Sequence, residues 1–183
     1  MYERLPKELI QSGKFCLWRY EVRKGKRTKV PYRTDGRCAD STNAADFSSF
    51  DAVTAVLAHG GYDGIGILIG GEFCAFDVDD CIENGILSDT AMDIVETMNT
   101  YTEISPSGKG IRGIFKAPGF FYDIKEFYIN NRNRKIEIYH PDATAKYVTT
   151  TGNSIRDVPV RDCSDVLPMI LDKYMRRPKK PIR

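Results

Sequence analysis

Two short apolar runs joined by a pair of glycines constrain this chain more than any other feature. Ile65 to Ile69 reads IGILI and Phe73 to Val78 reads FCAFDV, with Gly70 and Gly71 in the spacer between them. Runs this short and this uniformly apolar are strands covered on both faces, so they belong at the centre of a fold. The Gly-Gly spacer predicts that they pair as a hairpin. Around them, 42% hydrophobic and 28% charged residues in 183 supply enough apolar surface for a core without disulfide or metal staples. Global disorder is excluded.

Periodicity supplies the remaining elements. FCLWRYE (Phe15 to Glu21) reads as a strand, and a second begins at Thr28, which makes a hairpin. Asp46 to His59 has apolar residues at Phe47, Phe50, Val53, Val56 and Leu57, the spacing of an amphipathic helix ended by Gly60 and Gly61. Ser88 to Asn99 is a second helix, with Ser88 as cap and Ala91, Ile94, Val95 and Met98 facing inward. Tyr101 to Ile104 and Ile111 to Phe115 are strands flanking the loop Ser105 to Gly110. Ile136 to Tyr139 and Tyr147 to Thr151 are predicted to pair with each other across the HPDATAK loop. A last helix runs from about Ser164 to Met175, followed by the basic, Pro-rich RRPKKPIR, expected to be an extended linker. Strands and helices alternate without a regular βαβ count, so the fold class is α+β.

Net charge is +2, so any basic surface is local. It is found between residues 19 and 37, where Arg19, Arg23, Lys24, Lys26, Arg27, Lys29, Arg33 and Arg37 face only Glu21 and Asp35. With Trp18, Tyr20 and Tyr32 interleaved, the patch suits either a polyanion or plain solvent. The five cysteines are scattered with no CxxC pair, and only His59 and His140 are present, so neither a disulfide framework nor a His-rich metal site is indicated. Any metal would be held by oxygen. No run approaches the roughly 20 residues of a membrane span, and MYERLPKELI lacks a signal-peptide core, so a cytoplasmic protein is expected.

Three stretches carry chemistry. In Asp77-Val78-Asp79 the two carboxylates share one side of a strand end, roughly 6 to 7 Å apart at Cα, where a hard divalent ion would relieve their repulsion. The same residues could simply open a turn. Ser105-Pro106-Ser107-Gly108-Lys109-Gly110-Ile111-Arg112 offers freed backbone N–H groups, a hydroxyl and two cations, a set suited to a polyphosphate or to a bare Gly-rich turn. It is not a Walker A loop, since it leads into a strand. Glu137 alternates with Ile136 and Ile138, so it points either to solvent or into a cleft.

Taken in order, these motifs resemble the primase-polymerase domain of the archaeo-eukaryotic primase superfamily, in the form found in phage and plasmid replication proteins. The resemblance runs from about Phe15 to Thr151 and includes Trp18, KVPY (Lys29 to Tyr32), Gly36, GIGILIG, FDVD, SPSGKGIR, IEIY and TTTG (Thr149 to Gly152). It implies a mixed α/β unit packed on an RNA-recognition-like antiparallel sheet, with the active site between them. It also implies a catalytic domain over 1–163, with 164–183 as C-terminal helix and basic linker. The implied activity is template-directed nucleotidyl transfer, making or extending DNA primers in mobile-element replication. Asp77, Asp79 and Glu137 would be catalytic and would ligate Mg²⁺ or Mn²⁺. Ser107, Lys109 and Arg112 would bind the nucleoside triphosphate, and Lys29 and Arg33 the nucleic acid. Single-stranded DNA template and a helicase domain or partner are the implied associates.

Arg112 stands where the family usually carries His, which retains a phosphate clamp but removes proton transfer there. The zinc-binding insertion of some relatives has no ligands in this chain. Two other readings fit the residues: a DNA- or nucleotide-binding domain that has lost turnover, and a nuclease or sugar-nucleotide transferase sharing only the DxD.

Overall fold

The computed structural model describes residues 2–178, so the end of the basic tail, 179–183, lies outside the described residues. In chain order the helices are α1 (Lys7–Ser12), α2 (Phe50–Leu57), α3 (Asp89–Met98) and α4 (Leu167–Ile170), the last continuing as a wide turn over Leu171–Met175. The strands are β1 (Phe15–Arg23), β2 (Lys26–Tyr32), β3 (Gly64–Ile69), β4 (Phe73–Val78), β5 (Ile82–Glu83), β6 (Ile86–Leu87), β7 (Thr102–Ile104), β8 (Ile111–Lys116), β9 (Asn130–Asn131), β10 (Ile136–Tyr139), β11 (Lys146–Thr150) and β12 (Ser154–Arg156). The fold is mixed α+β with antiparallel sheets. A smaller sheet has the order β11-β3-β1-β2 and a larger one the order β12-β7-β8-β4-β10-β9, with β5 and β6 forming a separate ribbon.

The two central runs do not form the predicted hairpin. β3 pairs with β1 and β11 in the smaller sheet, whereas β4 pairs with β8 and β10 in the larger one. Only a single bridge, Gly70 with Phe73, joins them at the turn, where Gly71 adopts φ +60°. Each run has both edges taken by other strands, and each is apolar on both faces, so nothing in the pattern directs one toward the other. The second predicted pair fails in the same way: β10 lies in the larger sheet and β11 in the smaller, and the segment 140–145 carries the chain between them. Two connections that look like hairpins in sequence are crossings from sheet to sheet.

Burial on both faces of β4 follows its period-two alternation. Cys74, Phe76 and Val78 join Ile111, Phe115, Ile136 and Ile138 in a core closed by Ala91, Ile94, Val95 and Met98 of α3 and by Leu167 and Ile170 of α4. Phe73 and Ala75 face the other way, with Ile114 and Tyr139, onto Leu17, Ile65, Ile67 and Val148 of the smaller sheet. α2 and α1 close that second core through Val53 and Leu9.

α3 has the predicted inner face, the Ser88 hydroxyl accepting from Ala91 N and Asn99 ending the helix in the left-handed region at φ 42°. α2 begins four residues later than its apolar spacing indicates, because Ser49 caps it and Phe47 is buried separately with Cys16 and Leu68. The residues after 163 share the core of those before it. Leu171, Tyr174 and Met175 are buried there, and Arg176 and Arg177 are bonded back onto the 124–127 segment. All five cysteines are free thiols, Cys38 alone being exposed. Among the described residues no helix is long and apolar enough to cross a membrane.

Phe76 lies directly across from Gly113 in the β4–β8 register, and a Cβ at Gly113 would stand 2.2 Å from its ring. Replacing Gly113 with Ala therefore forces the ring of a fully buried residue out of its place against α3. Urea denaturation of Gly113→Ala should show a loss of about 1 to 3 kcal/mol, with an unchanged m-value.

Candidate functional site

The registers of the larger sheet set one polar row across its strands. Asn130 of β9 stands beside Glu137 of β10, Glu137 beside Asp77 of β4, Asp77 beside Arg112 of β8, Arg112 beside Glu103 of β7, and Glu103 beside Ser154 of β12. Cross-strand partners share a face, so all of these side chains leave the sheet on the side opposite Phe76, Val78, Ile136 and Ile138. That side faces the smaller sheet. Like charges directly opposite each other are destabilising in a sheet, yet Glu137 and Asp77 are adjacent, with Asp79 two residues beyond Asp77.

The three acids are thus brought to one place. Asp79 reports their proximity: its partial burial, and then the carboxylates of Asp77 and Glu137, raise its pKa above the ordinary 3.8. Its side chain accepts no hydrogen bond among the described residues, while its backbone N–H is held by Lys135 O at 2.9 Å. Glu137 accepts from Asn130 Nδ2 and from the Tyr139 hydroxyl. Among the described residues no three metal-ligating side chains are grouped closely enough to enclose an ion as they stand.

Arg112 is the reason Asp77 can be buried. Its Nη2 donates to Asp77 Oδ2 at 2.6 Å, and its Nη1 donates to the carbonyl and, at 2.6 Å, to the hydroxyl of Thr149 on β11. Burial opposes the guanidinium's charge, but the adjacent Asp77 outweighs it and holds the Arg112 pKa above its usual range. The sequence assigns Arg112 to the triphosphate; in the structure it lines the cleft, and two of its three nitrogens bond within the protein, tying the larger sheet to the edge strand of the smaller. Two buried atoms of the pair, Asp77 Oδ1 and Arg112 Nε, have no partner among the described residues.

A cleft of about 470 Å³ adjoins this pair, lined by Lys29, Pro31, Arg112, Tyr139, Lys146 and Thr149, among others. Its floor is the outer face of the smaller sheet. Tyr147 crosses that face over Gly66, where a Cβ would meet its ring at 2.7 Å, and donates to Lys29 O at 2.8 Å. Lys29 is half-buried here, and desolvation, followed by the nearby Arg112, lowers its pKa, with Asp77 and Asp79 acting in the opposite sense. Lys29 therefore sits within electrostatic reach of the acids. Arg33 does not line the cleft: it pairs with Asp35 at 3.0 Å and Asp46 at 3.1 Å.

The loop 105–110 packs against the end of β4. A Cβ at Gly110 would lie 2.7 Å from Val78 O, and Lys109 O accepts from the N–H groups of Cys81 and Ile82. Ser107 Oγ is bonded to Ser105 Oγ at 3.0 Å, and Lys109 is exposed near Asp80, whose pKa it helps lower after the larger effect of Lys135. Neither Ser107 nor Lys109 lines the cleft.

Sequence reasoning missed Glu103. It is 2% exposed, and its carboxylate accepts from the Tyr101 and Thr150 hydroxyls and from the backbone N–H groups of Thr151 and Gly152. Those bonds fix the segment that presents Thr149 to Arg112. Its position in TEI, with Thr102 and Ile104 beside it, carries no signal of this role. Lys146 and Tyr139 of the cleft were likewise not singled out.

The architecture and site thus set a row of acids on the larger sheet next to a cleft lined by Lys29, Arg112 and Lys146. No family model matches the chain. It is similar to a DNA primase-polymerase of Nitratiruptor phage NrS-1, 26% identical over 153 residues that cover 80% of this chain and 20% of that protein. The chain thus spans about a fifth of the length of the curated relative it matches, and the match supports a relationship to primase-polymerases.

Removing one partner of a buried ion pair leaves the other charge stranded. Arg112→Ala should cost about 3 to 5 kcal/mol in urea unfolding, and the double variant with Asp77→Asn should cost less than the sum of the singles by about 1 to 3 kcal/mol. Simple additivity would show that the two residues act separately. For Asp79 the sign is opposite to that of a salt-bridged acid. Its raised native pKa means that the ionised form opposes folding, so stability is present at low pH and lost as pH rises through the native value. Asp79→Asn should therefore raise Tm at neutral pH, and the gain should fade as pH falls toward 3.8.

Proposed function

We propose that this chain catalyses template-directed nucleotidyl transfer, making or extending DNA primers in the replication of a mobile element, in the manner its similarity to a phage primase-polymerase suggests. The observation that carries the reading is the adjacency of Glu137 and Asp77 across β10 and β4, beside Asp79 and opposite a cationic cleft. A row of acids next to a pocket for polyanions is unfavourable for stability alone. It suits a reaction in which a phosphate chain and an attacking oxygen meet.

Asp77, Asp79 and Glu137 form an oxygen-only donor set suited to Mg²⁺ or Mn²⁺. The three are not closed around an ion as they stand, but the unpartnered Oδ1 of Asp77 and the unbonded carboxylate of Asp79 leave oxygens free to take one when the acids draw together. Bound there, paired divalent ions would lower the pKa of the attacking 3′-hydroxyl and offset charge on the triphosphate. The chain's own residues supply the rest. Lys29, half-desolvated on the cleft wall, attracts the triphosphate and gives its charge more weight than it would have in bulk water. Arg112, permanently protonated, orients Asp77 through its Nη2 bond and exchanges no proton. Ser107 and Lys109 flank the Asp79 end of β4, on a loop held there by the Cys81 and Ile82 N–H groups. Single-stranded DNA and nucleoside triphosphates are the substrates of this reading.

Incorporation of labelled nucleotides should be template-dependent, require a divalent ion, and disappear in Glu137→Gln and in Asp77→Asn with Asp79→Asn, while circular dichroism shows the fold retained. A wild-type chain that binds template yet incorporates nothing would reduce the protein to a binding domain. Shortening of a labelled strand without added nucleotides would mark a nuclease instead.

A further inference from the structure

The basic hairpin β1–β2 divides its charge between two faces. On the back, Arg19 and Arg23 both pair with Glu21 at 3.1 Å, and the Tyr32 hydroxyl joins the same carboxylate. One carboxylate thus holds both arginine side chains in place, and Arg19 also lies over the Tyr32 ring at 4.5 Å, so the back presents tethered cations, with Lys26 near the tip. On the front, the register sets Trp18 beside Pro31, Tyr20 beside Lys29, and Val22 beside Arg27. Among the described residues neither Arg27 nor Lys29 makes an ion pair. Arg27 lies over the Tyr20 ring, its guanidinium carbon 3.6 Å from the centroid, and Trp18 meets the same ring edge-on at 5.2 Å. Asp63 accepts from the Tyr20 backbone N–H at 2.7 Å.

This front face is continuous with the floor of the cleft. Lys29 and Pro31 belong to both, and Lys146 stands on the far wall. Val22, at the outer end, is 76% exposed, so the face is open beyond Tyr20. A planar guanidinium held flat on an aromatic ring offers its outer surface to a base, while unpaired cations on alternate residues of a strand offer contacts to phosphates. A duplex hides its base faces within the stack; a single strand exposes them.

We infer that the front face of β1–β2, built on Tyr20, Arg27 and Lys29, is the track along which a single-stranded polynucleotide reaches the cleft. The inference rests on the proposed nucleotidyl transfer for the strand's destination, but the binding face stands or falls by its own measurement. Arg33, the other hairpin cation assigned to nucleic acid from the sequence, is excluded from the track by its pairing with Asp35 and Asp46.

Fluorescence anisotropy of the full chain with a labelled oligothymidylate tests it. Tyr20→Ala with Arg27→Ala should weaken binding about tenfold and lower the slope of log affinity against log salt by about one. Arg27→Glu should weaken it further, and Arg19→Ala with Arg23→Ala, on the back, should change it less than twofold. Equal losses from both faces, or none from the front, would overturn the assignment. Blunt duplex bound as tightly as the single strand, with the same dependence on Arg27, would overturn the preference for a single strand. If the front-face loss appears while wild-type chain incorporates no nucleotide, the track stands and the transferase reading falls. Incorporation that is intact in the front-face variants at limiting template would remove the track and leave the transferase.

Discussion

Arg112 reaches from the middle of one sheet to the edge strand of the other, giving one nitrogen to Asp77 and another to Thr149. Taking a carboxylate and a guanidinium out of water costs several kcal/mol per ion, and their attraction recovers this only with good geometry and filled hydrogen-bonding positions. Here the filling is incomplete, since Asp77 Oδ1 and Arg112 Nε are left without partners among the described residues. An apolar pair would serve stability as well or better. The pair makes sense as a device that holds a buried carboxylate oriented beside the cleft, with Glu103 behind it fixing the segment that offers Thr149.

That device depends on how the sheets are joined. Because the chain crosses between them at Gly70-Gly71 and again over 140–145, each sheet contains strands from distant parts of the sequence. β4 carries Asp77 and ends at Asp79, β8 brings Arg112, β10 brings Glu137, and β11 returns Thr149 from the other sheet. Glycine sets the close approaches: Phe76 over Gly113 on the helix side, Tyr147 over Gly66 in the cleft. A side chain at either place would displace an aromatic ring that shapes a core or a floor.

Legibility followed burial. α3 could be read with its cap and its inner face because one side of it is covered and the other wet, which leaves a period in the sequence. β3 and β4 could be read as strands but not paired, because residues buried on both faces leave no polar side to fix a partner. Phe47 was drawn into α2 by spacing, whereas Ser49 starts the helix through a local hydrogen bond that spacing does not register. Within the site, the DxD and the Glu of IEIY were visible as residue types. Glu103 was not, since a buried acid between Thr102 and Ile104 looks like a solvent-facing position in an ordinary strand.

By itself the sequence determined the α+β class, the central strands and the inner face of α3, and it marked the acids, loop and basic hairpin as candidates. It did so because those properties are local: period, capping, and the chemical nature of side chains. Only the tertiary structure decided which strands lie side by side, that Glu137 stands next to Asp77, that Arg112 is bound to its own protein, and that Lys29 of the hairpin lines the cleft. Those are matters of register between segments far apart in the chain, and hydrogen-bonded backbone pairing, the same for every residue type, leaves no mark of its partner in the sequence.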